Sequence, residues 1–192
     1  MQHPEVIFID LEASSLHNGY PIEVGWAIVR DFKVTAESWL IRPVEEWITQ
    51  DWCWSADAQN VHGIKMSNLL SLGRPVTEIK ARMTSLFKGK VLFSDAVGFD
   101  FNWLIALYHA DAPEGPALPF RLADVSQAFE GPGTDERKFD HEVRRRADYV
   151  PEHRAADDAL NHALMWCHSR RDIDAAQFQY PELRANWKYM IG

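Results

Sequence analysis

The order of apolar and polar positions divides the chain into strand-like and helix-like stretches. Between residues 5 and 43 the apolar residues come in three short blocks: EVIFIDLEA, PIEVGWAIVRD and FKVTAESWLIRP. The last alternates at Val34, Ala36, Ser38 and Leu40 and is stopped by a proline. Such runs predict strands, and the short connections place the three side by side as a meander. Residues 44–73 read as irregular and partly helical. RPVTEIKARMTSLFKGK then carries Val76, Ile79, Met83, Leu86 and Phe87 at helical spacing, with Pro75 and Gly89 at its two ends. VLFSDA predicts a fourth strand, FDFNWLIALYHA a helix opening beside Asp100, and FRLADVSQAF a short fifth strand running into a helix. GPGTDERK reads as a loop, and EHRAADDALNHALMWCHSRR as a long amphipathic helix with arginines in its last turn, where they suit the helix dipole. The expected architecture is α/β, a mixed five-stranded central sheet with helices on both faces. Residues 1–172 form the folded unit, and 173–192 are a tail without a clear pattern.

One detail breaks the pattern of the first strand. Asp10 and Glu12 end an otherwise apolar run, and the period of two points both carboxylates to one face. A buried carboxylate is costly unless compensated, and two like charges raise each other's pKa. A divalent cation is the economical compensation, which directs attention to further oxygen ligands. Asp100 stands in VGFDFNWL, and Asp158 in HRAADDAL, five residues after His153. Alone, Asp100 reads as a first-turn helix acid favoured by the macrodipole, and Asp157 and Asp158 as solvated helix charge.

Taken in order, DLEASSL, GFDFNWL and HRAADDA resemble the three motifs of the DnaQ-like 3′-to-5′ exonucleases, the DEDDh group within the RNase H-like fold. The HxxxxD spacing marks the histidine subclass, whose tyrosine counterpart would place Tyr where Arg154 stands. VHGI at 61–64 matches a further recurrent segment. The resemblance spans roughly residues 5–170. It departs at Ser14-Ser15, where the family often has Thr-Gly, and at Ala96, where many members have Asn.

The resemblance implies an RNase H-like fold in which Asp10, Glu12, Asp100 and Asp158 hold two divalent cations, Mg²⁺ or Mn²⁺. Such a pair clamps the attacking and leaving oxygens of an in-line displacement at phosphorus. Asp157 competes for the fourth place, and the family register selects Asp158. His153 would be the general base, for which an ordinary pKa of about 6.5 is suited. The product would be a nucleoside 5′-monophosphate released from a single-stranded DNA or RNA 3′ end. Ala13, Ser14, Leu16, His62 and Ile64 are the substrate-contact positions this implies, with His62 read equally well as a turn histidine bonded to backbone. The rivals from other classes are a catalytically silent nucleic-acid-binding module on the same fold and a phosphodiesterase for small molecules such as dinucleotides.

Composition changes this picture little. The chain has 192 residues, 46% hydrophobic with eight tryptophans, which predicts a compact core. Its formal net charge of −8 argues against coating nucleic acid by bulk charge, but not against a local site where cations compensate. Arg144 to Arg146, with Arg137, Lys138 and Arg154, read either as a track for the phosphate backbone or as a solvated mixed-charge surface. Trp47, Trp52 and Trp54 read as a packing cluster in preference to base-stacking platforms. Cys53 and Cys167 have no metal spacing and read as reduced thiols. No basic leader and no run of ~18 apolar residues is present, so a cytoplasmic protein is expected, with a homodimer or a polymerase or processing partner compatible with the reading.

Overall fold

The computed structural model describes residues 5–49, 54–111, 117–129 and 153–169. Trp52, Cys53, the basic positions 137–146, the loop at 131–138 and the tail therefore lie outside the described residues. The elements run β1 (Val6–Ala13), β2 (Pro21–Arg30), β3 (Lys33–Leu40), α1 (Glu45–Thr49), α2 (Ala56–His62), α3 (Met66–Leu72), α4 (Val76–Phe87), β4 (Val91–Ser94), α5 (Val97–His109), β5 (Arg121–Asp124), α6 (Val125–Ala128) and α7 (Ala155–Ser169). The strands form one sheet in the order β3-β2-β1-β4-β5. The first three are antiparallel neighbours, while β4 pairs parallel with β1 and with β5. This is the expected meander, extended by parallel strands that need helical crossovers.

Both faces of the sheet are covered, which is why β1 and β2 read as nearly continuous apolar runs. On one face Ile7, Ile9 and Leu11 of β1 join Ile22, Val24 and Trp26 of β2, packed with Ile79, Met83 and Phe87 of α4 and Leu104 and Leu107 of α5. On the other face Val6 and Phe8 join Ala27 and Val29, packed with Ala159, Leu160, Ala163 and Leu164 of α7. Asp10 and Glu12 continue the second set by period two, so the acids face α7. Trp47 and Trp54 both pack on Tyr20, at ring-centroid distances of 5.4 and 6.4 Å. Cys167 is a free, buried thiol. Among the described residues no helix is long and apolar enough to cross a membrane.

Two boundaries differ from the sequence expectation. α5 starts at Val97, three residues before Asp100, although its N-cap Ala96 offers no side-chain bond. α7 starts at Ala155, leaving His153 and Arg154 in the approach to the helix.

β2 and the start of α7 approach each other backbone to backbone. A Cβ added at Gly25 would lie 2.2 Å from Ala156 N and 2.3 Å from Ala155 C, so glycine is required for backbone to meet backbone. Gly25 is the cross-strand partner of Asp10. Gly25→Val should force the helix away, and overpacking of this kind costs ~1–3 kcal/mol or more. A thermal melt should show a loss of at least a few °C. An unchanged melting temperature would contradict the contact.

Candidate active site

The four acids of the sequence motifs arrive from three elements. Asp10 and Glu12 end β1, Asp100 sits in the first turn of α5, and Asp158 in the first turn of α7. Oxygens of Asp10, Glu12 and Asp158 lie within 4.8 Å of one another, as do those of Asp10, Asp95 and Asp100, so Asp10 is common to two groups. Asp157, one position earlier on α7, belongs to neither group and is buried.

Three features show that these residues fit a divalent cation. First, the donors are all carboxylate oxygens, the preferred ligands of hard cations such as Mg²⁺ and Mn²⁺. Second, Asp100 is wholly buried. Its Oδ2 accepts from Ser94 Oγ at 2.5 Å, whereas among the described residues Oδ1 has no partner in hydrogen-bond geometry, a costly state for a buried oxygen. Third, without a cation the acids resist ionisation. Burial, then the charges of Asp100, Asp158, Glu12 and Asp95, hold Asp10 well above the usual carboxylate range. Burial and the Glu23 and Asp158 charges push Glu12 to about 9, and burial raises Asp100 to about 7.

Beside Glu12 lies a cavity of about 380 Å³, lined by Ala13, Ser15, Leu16, His17, Ser55, Asp57, Val61, His62 and Trp103 among others. Leu16 is 61% exposed at its edge. Of the five substrate-contact positions in the sequence reading, Ala13, Leu16 and His62 line this cavity, and Ser14 and Ile64 do not. Ser14 is buried, and its Oγ accepts from Tyr20 N at 3.0 Å; Ile64 is part of the core. VHGI proves to be the end of α2. Gly63 takes φ +69 and donates its N–H to Gln59 O, and His62 Nδ1 accepts from Ile64 N at 3.0 Å, fixing the ring. Burial lowers the His62 pKa.

His153 is exposed, with φ +48, directly before α7. Arg154 does not belong with the basic stretch: its guanidinium is turned inward onto Glu23, at 2.9 Å for Nε–Oε2 and 2.6 Å for Nη2–Oε1. Glu23 also accepts from Ala155 N and from Ser38 Oγ. The sequence reading missed this pair, and it missed Asp95, whose carboxylate meets His162 Nε2 at 3.2 Å and is held below its ordinary pKa first by that bond. For Glu23 a signal existed, since an acid inside the apolar run of β2 is the same anomaly that exposed Asp10 and Glu12.

No family model matches the chain, and no curated protein matches it in sequence. Solved structures do. The crystal structure of cell-death related nuclease 4 (CRN-4) matches with a TM-score of 0.60 at 12% identity, over 87% of this chain and 64% of that one. Escherichia coli exonuclease I in complex with a dA16 oligonucleotide matches with a TM-score of 0.63 at 16% identity, over 96% of this chain and 43% of that one. Its complex with a dT13 oligonucleotide gives 0.59 at 15%. This chain thus spans less than half of exonuclease I and just under two thirds of CRN-4. At these identities the likeness shows the fold, which is RNase H-like, with a mixed five-stranded sheet covered by helices.

The raised acids make stability depend on pH in the metal-free protein. Glu12 binds its proton more tightly folded than unfolded, where its pKa is near 4.5. Its stabilising contribution is complete below that value and is lost as pH rises toward about 9; Asp100 loses its own up to about 7. Chelator-treated protein should therefore melt at a lower temperature at pH 8 than at pH 5.5. Asp10→Asn should flatten that slope, and Mn²⁺ should raise the melting temperature at pH 8. Thermal melts across pH, with and without Mn²⁺, check this, and a rising slope would contradict it.

Proposed function

We propose that this chain is a metal-dependent 3′-to-5′ exonuclease that releases nucleoside 5′-monophosphates from single-stranded DNA or RNA, with residues 1–172 as the catalytic domain. The observation that supports this best is the meeting of Asp10, Glu12, Asp100 and Asp158 in two carboxylate groups that share Asp10, with Glu12 also lining a cavity. The structural neighbours, which are nucleases, favour the same reading.

Asp10, Glu12, Asp100 and Asp158 would hold two divalent cations, which supply the positive charge that stabilises the attacking and leaving oxygens of an in-line displacement. His153 would take the proton from the attacking water. It stands ahead of α7, exposed to solvent and five residues before Asp158 in sequence. The cavity beside Glu12 would seat the terminal nucleotide, with Leu16 and Trp103 offering apolar surface and His62 a ring held by its backbone bond. An unpaired end would be preferred, because freeing a base from a duplex costs a few kcal/mol.

End-labelled single strands of DNA and RNA, incubated with Mg²⁺, Mn²⁺ or EDTA, test this. A 5′ label should give a ladder of shortening strands, lost in EDTA and blocked by a 3′ phosphate. Cleavage of circular single strands would show a different enzyme, and a dinucleotide cut undisturbed by excess long strand would favour the small-molecule phosphodiesterase. Asp10→Ala should abolish turnover and leave the fold intact. His153→Ala should slow turnover ~10²–10⁴-fold, as expected for a missing general base, with Mn²⁺ affinity retained. Near-native turnover of His153→Ala would refute that assignment.

A further inference from the structure

We propose that Glu23 and Arg154 are positioning residues of this site: Glu23 fixes Arg154, and Arg154 fixes the backbone from which His153 projects. The inference rests on the reading of His153 as the group that takes the proton. Two observations support it independently of that chemistry.

The first is the geometry of the pair. Glu23 is 1% exposed and Arg154 23%. The guanidinium engages both carboxylate oxygens, and the remaining acceptor capacity is used by Ala155 N at 3.2 Å and Ser38 Oγ at 2.9 Å. A two-pronged arginine–carboxylate contact fixes orientation as well as distance. Burying such a pair is poor value as a source of stability alone. Glu23 also lies directly across the strands from Glu12, and the two-pronged bond fixes which way the guanidinium and its backbone point.

The second observation is the backbone of His153. At φ +48 it occupies the left-handed region that residues with a side chain rarely adopt. Such a conformation persists where its surroundings over-determine it. Arg154 follows immediately and is held at both ends: its side chain by Glu23, its carbonyl by the N–H of Asp158 at 3.1 Å. With Arg154 pinned, the preceding residue has less freedom to leave that region.

Arg154→Ala should lower kcat by ~10–100-fold with KM changed by less than about 2-fold, the scale of loss expected when a reacting group is misplaced by about 1 Å. In a His153→Ala background the same change should cost no more than about 2-fold, because residues acting through one another are not additive. Guanidinium ion added to Arg154→Ala should restore part of kcat. Mn²⁺ affinity by calorimetry should stay within about 3-fold of wild type, since Gly25 still seats α7. Independent losses that multiply, or a collapse of Mn²⁺ affinity, would overturn the proposal.

Imidazole NMR provides a readout that needs no turnover. The His153 resonance, assigned by its loss in His153→Ala, should shift in Arg154→Ala while that of His109 stays. Should the wild-type protein show no nuclease activity, the functional reading fails and these spectra alone decide the clamp. Should Arg154→Ala not fold, Arg154→Lys keeps the charge and gives up the fork. A lysine variant with the wild-type His153 resonance would refute the positioning role.

Discussion

The acidic centre depends on how closely one helix can lie on one strand. Asp158 meets Asp10 and Glu12 only because the main chain of α7 at Ala155 and Ala156 touches the main chain of β2 at Gly25. Small residues continue that contact, with Ala159 and Ala163 fully buried on the same side of the helix. Larger side chains at those positions would lift α7 by the width of a methyl group or more, and the third carboxylate would leave the cluster. Tight packing here is thus a condition of the chemistry as much as a source of stability.

A second consequence concerns charge. Five carboxylates, from Asp10, Glu12, Asp95, Asp100 and Asp158, gather at one end of the sheet, and burial makes ionisation of Asp10, Glu12 and Asp100 unfavourable. The protein relieves part of this with its own groups. Glu23 is neutralised by Arg154, Asp95 is met by His162, and Asp100 receives the Ser94 hydroxyl. Among the described residues Asp10 and Glu12 are given no comparable hydrogen bond or ion pair. These two share one face of β1, which is where an added cation would act most strongly.

Much of this was legible in the sequence because it is local. Period two predicted that Asp10 and Glu12 share a face, and period 3.6 picked out Val76, Ile79, Met83 and Phe87 as the buried side of α4. The five strands and their mixed pairing follow from the same patterns. What stayed hidden is either long-range or unsignalled. Glu23 and Arg154 are 131 positions apart, and no local rule connects them. Ala96 gave no sign of the start of α5, since alanine has no side-chain oxygen to cap a helix. The choice of Asp158 over Asp157 depends on the rotational phase of α7, which is set by where Gly25 lets the helix touch. A glycine in the middle of an apolar strand was the available hint of that close approach.

The turn between β2 and β3 bears on the same helix from its other end. Asp31 and Phe32 both take positive φ, at +45 and +59, closing a two-residue hairpin of the kind that suits strand twist. Phenylalanine is an unfavourable occupant of such a turn, yet here its ring stacks on Trp166 of α7 with centroids 6.0 Å apart, and Trp166 Nε1 is bonded to Ala128 O. The helix is therefore fastened to β2 at its beginning and to the end of β2 some ten residues later. A rod fixed at two points has a defined length and a defined rotation. One residue inserted between Ala156 and Trp166 would turn one end against the other by ~100° and lengthen the span by ~1.5 Å, so either the ring stack or the carboxylate would lose its place. The spacing along α7 is in this sense a ruler: natural variants of this chain can change the letters between those two marks far more freely than their number.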